Sequence, residues 1–205
     1  MSRLWSVLSL LSAGYVRTRG PAVDSTIYLS FDDGPHALHS ARLLDLLAQH
    51  EAKATFFLLG DVAQDEPELV ARMLAQGHAI GNHSMTHPRM SGLGGRAIWD
   101  EVDRADAVLA RFDGQRRHLF RPPHGRLTPA MVAGSLWRRQ PLVLWTLDSL
   151  DYKLEPQAVA RRLSERLPVS GDVILFHDDG ACAGEALEIL LPLWKRAGLR
   201  FAALG

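Results

Sequence analysis

The chain has 205 residues, enough for one domain with a sizeable core at roughly 100 to 200 residues per domain and too few for two full ones. Apolar residues make up 47% and charged residues 22%, a globular composition that excludes a disordered chain or a membrane channel. Lys plus Arg equals Asp plus Glu at 23 each, so no net field gathers phosphate backbones and nucleic acid is not an expected partner.

The N-terminal tract MSRLWSVLSLLSAGYV sets Arg3 ahead of a short apolar run broken by serines. At helical period Leu4, Leu8, Leu11 and Tyr15 share one face and Ser2, Ser6 and Ser9 another, which predicts an amphipathic helix. A spanning helix would need about 20 apolar residues. Three readings stay open for this tract: packing on the domain, peripheral membrane contact through residues 1–19 with Arg17 and Arg19 at the headgroups, or a cleaved signal peptide. Residues 1–22 are read as this appended segment and 23–205 as the main domain.

From Ile27 onward short apolar runs alternate with longer amphipathic segments, the pattern of a parallel sheet covered by helices. The predicted strands are IYLSF, ATFFLL, HAIGN, HLFRP, PLVLWTL, DVILFH and LRFAAL. Helices are predicted over 37–50, 66–76, 94–112, 128–138, 155–167 and 184–197, with Pro67 in a first turn, Thr128 capping ahead of Pro129, and Gly77 and Gly198 just past helix ends. Period alone leaves an open doubly wound sheet and a closed barrel both standing. Either way, the polar residues of interest follow strands: Asp32 and Asp33, His83, Arg121, Asp148 and Asp151, and His177. The carboxyl ends of strands are where parallel α/β folds bind ligands.

His83 and His87 are four apart and can share a metal ion on one turn, although Pro88 makes this a turn rather than a zincin-type helix and no Glu adjoins His83. One carboxylate from Asp32 and Asp33 completes a three-ligand site with an open position, the arrangement of a catalytic zinc, and one that equally suits cobalt, nickel or iron. The other carboxylate stays unligated beside the cation, which relieves the repulsion within the pair and places a base to take a proton from water. Cys182 is the sole cysteine, so a cysteine-rich zinc knuckle and an intrachain disulfide are excluded. His177 is a candidate general acid with Asp151 as the carboxylate that raises its pKa. An aspartyl-phosphate enzyme is disfavoured, because such enzymes space nucleophile and acid as D-x-D whereas these aspartates are adjacent.

In this order SFDDGP, HSMTHP, RPPHG, DSLDY and ILFH resemble the five motifs of the polysaccharide deacetylase family, which includes chitin, peptidoglycan and rhizobial chitooligosaccharide deacetylases; the resemblance spans residues 30–177. It implies an α/β fold, a distorted (β/α) barrel with about seven parallel strands, and a metal-dependent N-deacetylase in the domain 23–205. By the same resemblance Asp32 is the general base, and Asp33, His83 and His87 hold a divalent metal, zinc foremost. Arg121 pairs with Asp32, and Asp151 with the acid His177. Leu175 lines the acetyl pocket, while Pro122 and Pro123 stiffen a loop that offers a backbone N–H to the oxyanion. His124 stands where the family has Tyr, and Tyr152 where it has Trp, so the substrate-facing set Pro123, His124, Tyr152 and Leu175 leaves the glycan unnamed. The expected partner is an N-acetylated amino-sugar glycan or a lipid-linked saccharide, with a non-catalytic saccharide- or lipid-binding protein as the alternative. The expected location is the cytosol or the cytosolic face of the inner membrane, with periplasmic or secreted as the alternative.

Overall fold

The computed structural model describes residues 14–205. Its first strand, β1 (Val16–Arg17), pairs in parallel with β5 (Leu142–Val143). The main sheet is parallel and runs β4 (Ala79–Asn82), β3 (Ala54–Leu58), β2 (Thr26–Asp32), β7 (Val173–His177) and β6 (Leu147–Asp148), while β8 (Arg200–Phe201) pairs with the start of β2. Single-residue bridges from Asn82 to Phe120 and from Phe120 to Leu142 carry the circuit on to β5. Because β5 and β6 lie on one extended run, that circuit returns to β7 and closes a distorted barrel.

The predicted HLFRP strand contributes one bridge at Phe120, and PLVLWTL breaks into β5 and β6. The break has a physical cause. Arg121 Nη2 donates to the carbonyl of Leu144 and Nε to that of Val143, drawing carbonyls of this run toward a buried side chain instead of a neighbouring strand. The predicted amphipathic helix falls almost wholly outside the described residues; the end of the 1–22 segment is sheet edge, with Val16 buried and Arg19 bridging Asp172.

Six helices match their predicted spans within two residues: α1 (His39–Gln49), α3 (Pro67–Ala75), α4 (Gly95–Asp113), α5 (Pro129–Arg138), α6 (Pro156–Glu165) and α7 (Cys182–Arg196). The short α2 (Gly60–Asp65) was not foreseen; six residues carry too little period to read. In α4 the residues Ile98, Val102, Ala105 and Leu109 form the buried stripe, and Gly114 ends the helix in a left-handed conformation with its N–H on the Ala110 carbonyl. Thr128 accepts the Met131 N–H at 3.2 Å and caps α5 ahead of Pro129. Among the described residues no helix is long and apolar enough to cross a membrane.

Strand alternation decides what the barrel encloses. Leu29, Phe31, Phe56, Ile174 and Phe176 face outward into the main core beneath the helices. Tyr28, Phe57, Val143, Val173 and Leu204 pack together inside. The alternate positions Ser30 and Asp32 of β2, and Leu175 and His177 of β7, therefore also point inward, toward one rim.

Candidate active site

Asp32 is the last residue of β2, in register with Phe57 of β3 and His177 of β7, so its carboxylate sits at the barrel mouth. Its Oδ1 accepts a hydrogen bond from Nη1 of Arg121 at 2.7 Å. Arg121 is fully buried and also donates to Ser30 Oγ at 3.0 Å, with its guanidinium 4.0 Å from the centre of the Phe57 ring. Burial pushes the Arg121 pKa down and the Asp32 charge pushes it back up, so each ion needs the other in this interior.

One residue on, the chain leaves the strand. Asp33 has φ 75°, a left-handed conformation rare for a non-glycine residue, and this swings its side chain away from that of Asp32. Asp33 Oδ1 lies 3.4 Å from Nε2 of His83 and 3.3 Å from Nε2 of His87. His83 follows β4, and its Nδ1–H donates to the Arg121 carbonyl at 2.7 Å, which turns Nε2 toward Asp33. The turn to His87 is stapled locally. Asn82 Oδ1 accepts the Ser84 N–H at 2.8 Å, Ser84 Oγ accepts the His87 N–H at 3.1 Å, and both Ser84 and His87 have positive φ.

The Nε2 atoms of His83 and His87 thus both face one carboxylate oxygen. Asp33 Oδ1 is shut off from solvent and accepts no hydrogen bond. Burial pushes the Asp33 pKa up, but the neighbouring imidazoles of His83, His87 and His177 outweigh it and hold the carboxyl at about 2. A cation between the three groups would satisfy this oxygen and both imidazoles at once. The residues fit a divalent ion, since bonds of about 2 Å in a tetrahedron place donor atoms about 3.3 Å apart. Asp33, His83 and His87 are the one group of this kind found among the described residues.

Asp151 is buried behind His177, which lines the same cavity. Its Oδ1 accepts from His177 Nδ1 at 2.8 Å and its Oδ2 from the His177 backbone N–H at 2.7 Å. Burial pushes the His177 pKa down, yet the hydrogen bond and charge of Asp151, with smaller contributions from Asp32 and Asp33, lift it to about 9. The imidazolium is therefore the resident form near neutral pH.

Asp32, Asp33, His83, His87 and His177 share a cavity of about 350 Å³, with Leu175, His124 and Tyr152 in its walls. The ring of Tyr152 stands edge-on to His177 with centroids 5.2 Å apart, and that of His124 edge-on to His87 at 4.6 Å. Pro123 is buried and lines an adjoining cavity instead. Trp145, Gly125, Asp148 and Asp179 also line the main cavity and were not foreseen as walls. Two further supports escaped the motif reading. Asp106 on α4 accepts from Asn82 Nδ2 at 2.8 Å and from His118, and so holds the residue that staples the His83 turn. Its signal was a carboxylate on the buried stripe, between Val102 and Leu109. Asp178 is buried against Gly34, and its Oδ2 accepts from Ser40 Oγ.

Known proteins resemble this chain in sequence and in fold. The family described as polysaccharide deacetylase matches residues 19–136. A peptidoglycan-N-acetylglucosamine deacetylase of Bacillus cereus is 31% identical over 206 residues, covering 98% of this chain and 74% of that protein. A chitooligosaccharide deacetylase of Sinorhizobium fredii is 36% identical over 170 residues, covering 80% and 78%. The crystal structure of the Bc1960 peptidoglycan N-acetylglucosamine deacetylase superposes with a TM-score of 0.90 at 29% identity, covering 98% of this chain and 95% of that one. With this fold, this set of residues and these relatives, the chain belongs to the polysaccharide deacetylase family.

Proposed function

We propose that the protein is a metal-dependent hydrolase that removes the N-acetyl group from an N-acetylated amino sugar in a glycan or lipid-linked saccharide. The observation that carries this reading is the solvent-excluded, unbonded Oδ1 of Asp33 between two imidazole nitrogens, across a cavity from an Asp151-paired His177. Asp33, His83 and His87 would hold the ion, and the donor set suits zinc as well as cobalt, nickel or iron. Such an ion supplies Lewis-acid polarisation of a carbonyl and a lowered pKa for water.

The chain's own residues do the rest. Asp32, oriented by Arg121, takes a proton from the attacking water as its oxygen bonds to the amide carbon. Leu175 offers an apolar wall for the acetyl methyl group. His177 protonates the sugar nitrogen as the C–N bond breaks, and acetate and a free amino sugar leave. The relatives act on peptidoglycan or chitooligosaccharide by their names, which supports an N-acetylated glycan as the substrate here.

The deciding experiment measures acetate release from N-acetylated mono-, oligo- and lipid-linked sugars with and without chelator. Release that stops with chelator and returns with added metal supports the reading. No release from any of them by folded, metal-loaded protein would leave saccharide binding without catalysis.

A further inference from the structure

Beside the main cavity lies a second one of about 250 Å³, lined by Arg89, Met90, Ser91, Pro123, His124 and Arg126. His124 belongs to both walls, so the two spaces adjoin. Arg89 follows the HSMTHP motif and Arg126 follows RPPHG, so two loops that build the metal side of the site each bring a guanidinium to the same space. Neither guanidinium has an ion pair or hydrogen bond with any described residue, and no carboxylate lines this cavity. Both arginines are exposed at this cavity, and two like charges beside one space without a counter-charge favour an anion there.

The main cavity, unlike this one, carries carboxylates beyond those of the reaction. Asp148 and Asp179 stand in its wall together with Tyr152, which packs on His177. A saccharide lying across both spaces therefore meets carboxylates in the main cavity and unpaired arginines in the adjoining one.

Resting on the deacetylase reading, we infer that Arg89 and Arg126 form a subsite for an anionic group, a carboxylate or a phosphate, on a sugar neighbouring the one that is deacetylated. Guanidinium forks match the two oxygens of either anion, whereas a neutral sugar offers them only hydroxyls. Asp148 and Asp179 disfavour the same group in the main cavity, which favours its placement beside Arg89 and Arg126.

The test is binding, measured by calorimetry on metal-loaded protein carrying His177→Ala so that bound sugar is not turned over. The probes are a neutral N-acetylglucosamine tetrasaccharide, the same backbone with a carboxylate on alternate sugars, and its terminal phosphate monoester. At least one anionic probe is expected to bind about tenfold more tightly than the neutral one at low salt. The gap should shrink as salt shortens the Debye length toward about 8 Å, and should close when Arg89→Gln and Arg126→Gln are added. Whichever anion shows the larger gap identifies the source, a carboxylated glycan or a phosphate-linked one.

Equal binding of neutral and charged probes, a preference that survives the double substitution, or no binding of any probe by folded, metal-loaded protein would overturn the subsite. Acetate release from the neutral tetrasaccharide by the unsubstituted protein is scored separately. Its absence counts against the deacetylase reading and leaves the binding comparison to stand by itself.

Discussion

Asp151 grips His177 twice, through the ring at 2.8 Å and through the backbone N–H at 2.7 Å, so one carboxylate sets both the position of the imidazole and its charge. The first contact turns Nε2 toward the cavity. The second anchors the end of β7 to the loop that carries Asp151.

The pH profile should report this pair. His177 donates its proton only as the imidazolium, so turnover is full below its pKa and falls as pH rises through it. That value is about 9 in the metal-free protein, and a bound divalent cation moves the alkaline limb lower. Asp151→Asn removes the charge that raises the pKa and should shift the limb further down, toward the ordinary 6.5. His177→Ala should lower kcat by about 10² to 10⁴ while metal content stays normal. An alkaline limb unmoved by Asp151→Asn would remove His177 from the acid role.

Metal analysis separates the two aspartates. Asp33→Ala, His83→Ala and His87→Ala should each weaken metal binding by more than about 100-fold, beyond the 10- to 100-fold typical of groups that only support a ligand. Asp32→Asn should retain the metal and lose turnover. Metal content equal to the parent in Asp33→Ala would place the ion elsewhere.

Arg121 tests the cost of stranding a buried charge. Arg121→Met leaves Asp32 about 3% exposed and without its cation, and should destabilise the fold by about 3 to 5 kcal/mol in denaturant titrations. Adding Asp32→Asn removes the stranded charge, so the double variant should be more stable than Arg121→Met. Additive losses would show that the ion pair is not what Arg121 provides.

Asp178 predicts a stability slope of opposite sign to the usual carboxylate. Burial raises its pKa to about 7, against the opposing hydrogen bond from Ser40 and with help from Asp179. The folded protein therefore holds this proton more tightly than the unfolded chain, whose Asp titrates near 3.8. The stabilisation is complete below about pH 4 and is lost as pH rises through 7. Compared with Asp178→Asn, the parent should gain up to about 1.4 kcal/mol per pH unit as pH falls from 7 to 4. Parallel stability curves for the two proteins would contradict a raised pKa. The carboxylate also explains Gly34, where a Cβ would collide with an Asp178 oxygen, so Gly34→Ala should cost about 1 to 3 kcal/mol.

Much of this was written in the amino-acid order. Amphipathic period set the six longer helices, continuous apolar runs set β2, β3 and β7, and the short motifs after them named the residues that meet at the barrel mouth. These are local properties, decided by which side of a strand or helix is apolar. The closure of the barrel was not local. It passes through Phe120 as a single bridge and through a run that breaks between Val143 and Leu147, because a buried Arg121 takes two of the carbonyls there. Nor could adjacency tell Asp32 from Asp33. The strand register holds Asp32 beside Arg121 and His177, while the left-handed turn that begins at the next residue carries Asp33 to the two imidazoles. Neighbouring side chains on a strand already point apart, and only the packed barrel determines what each of them finds there.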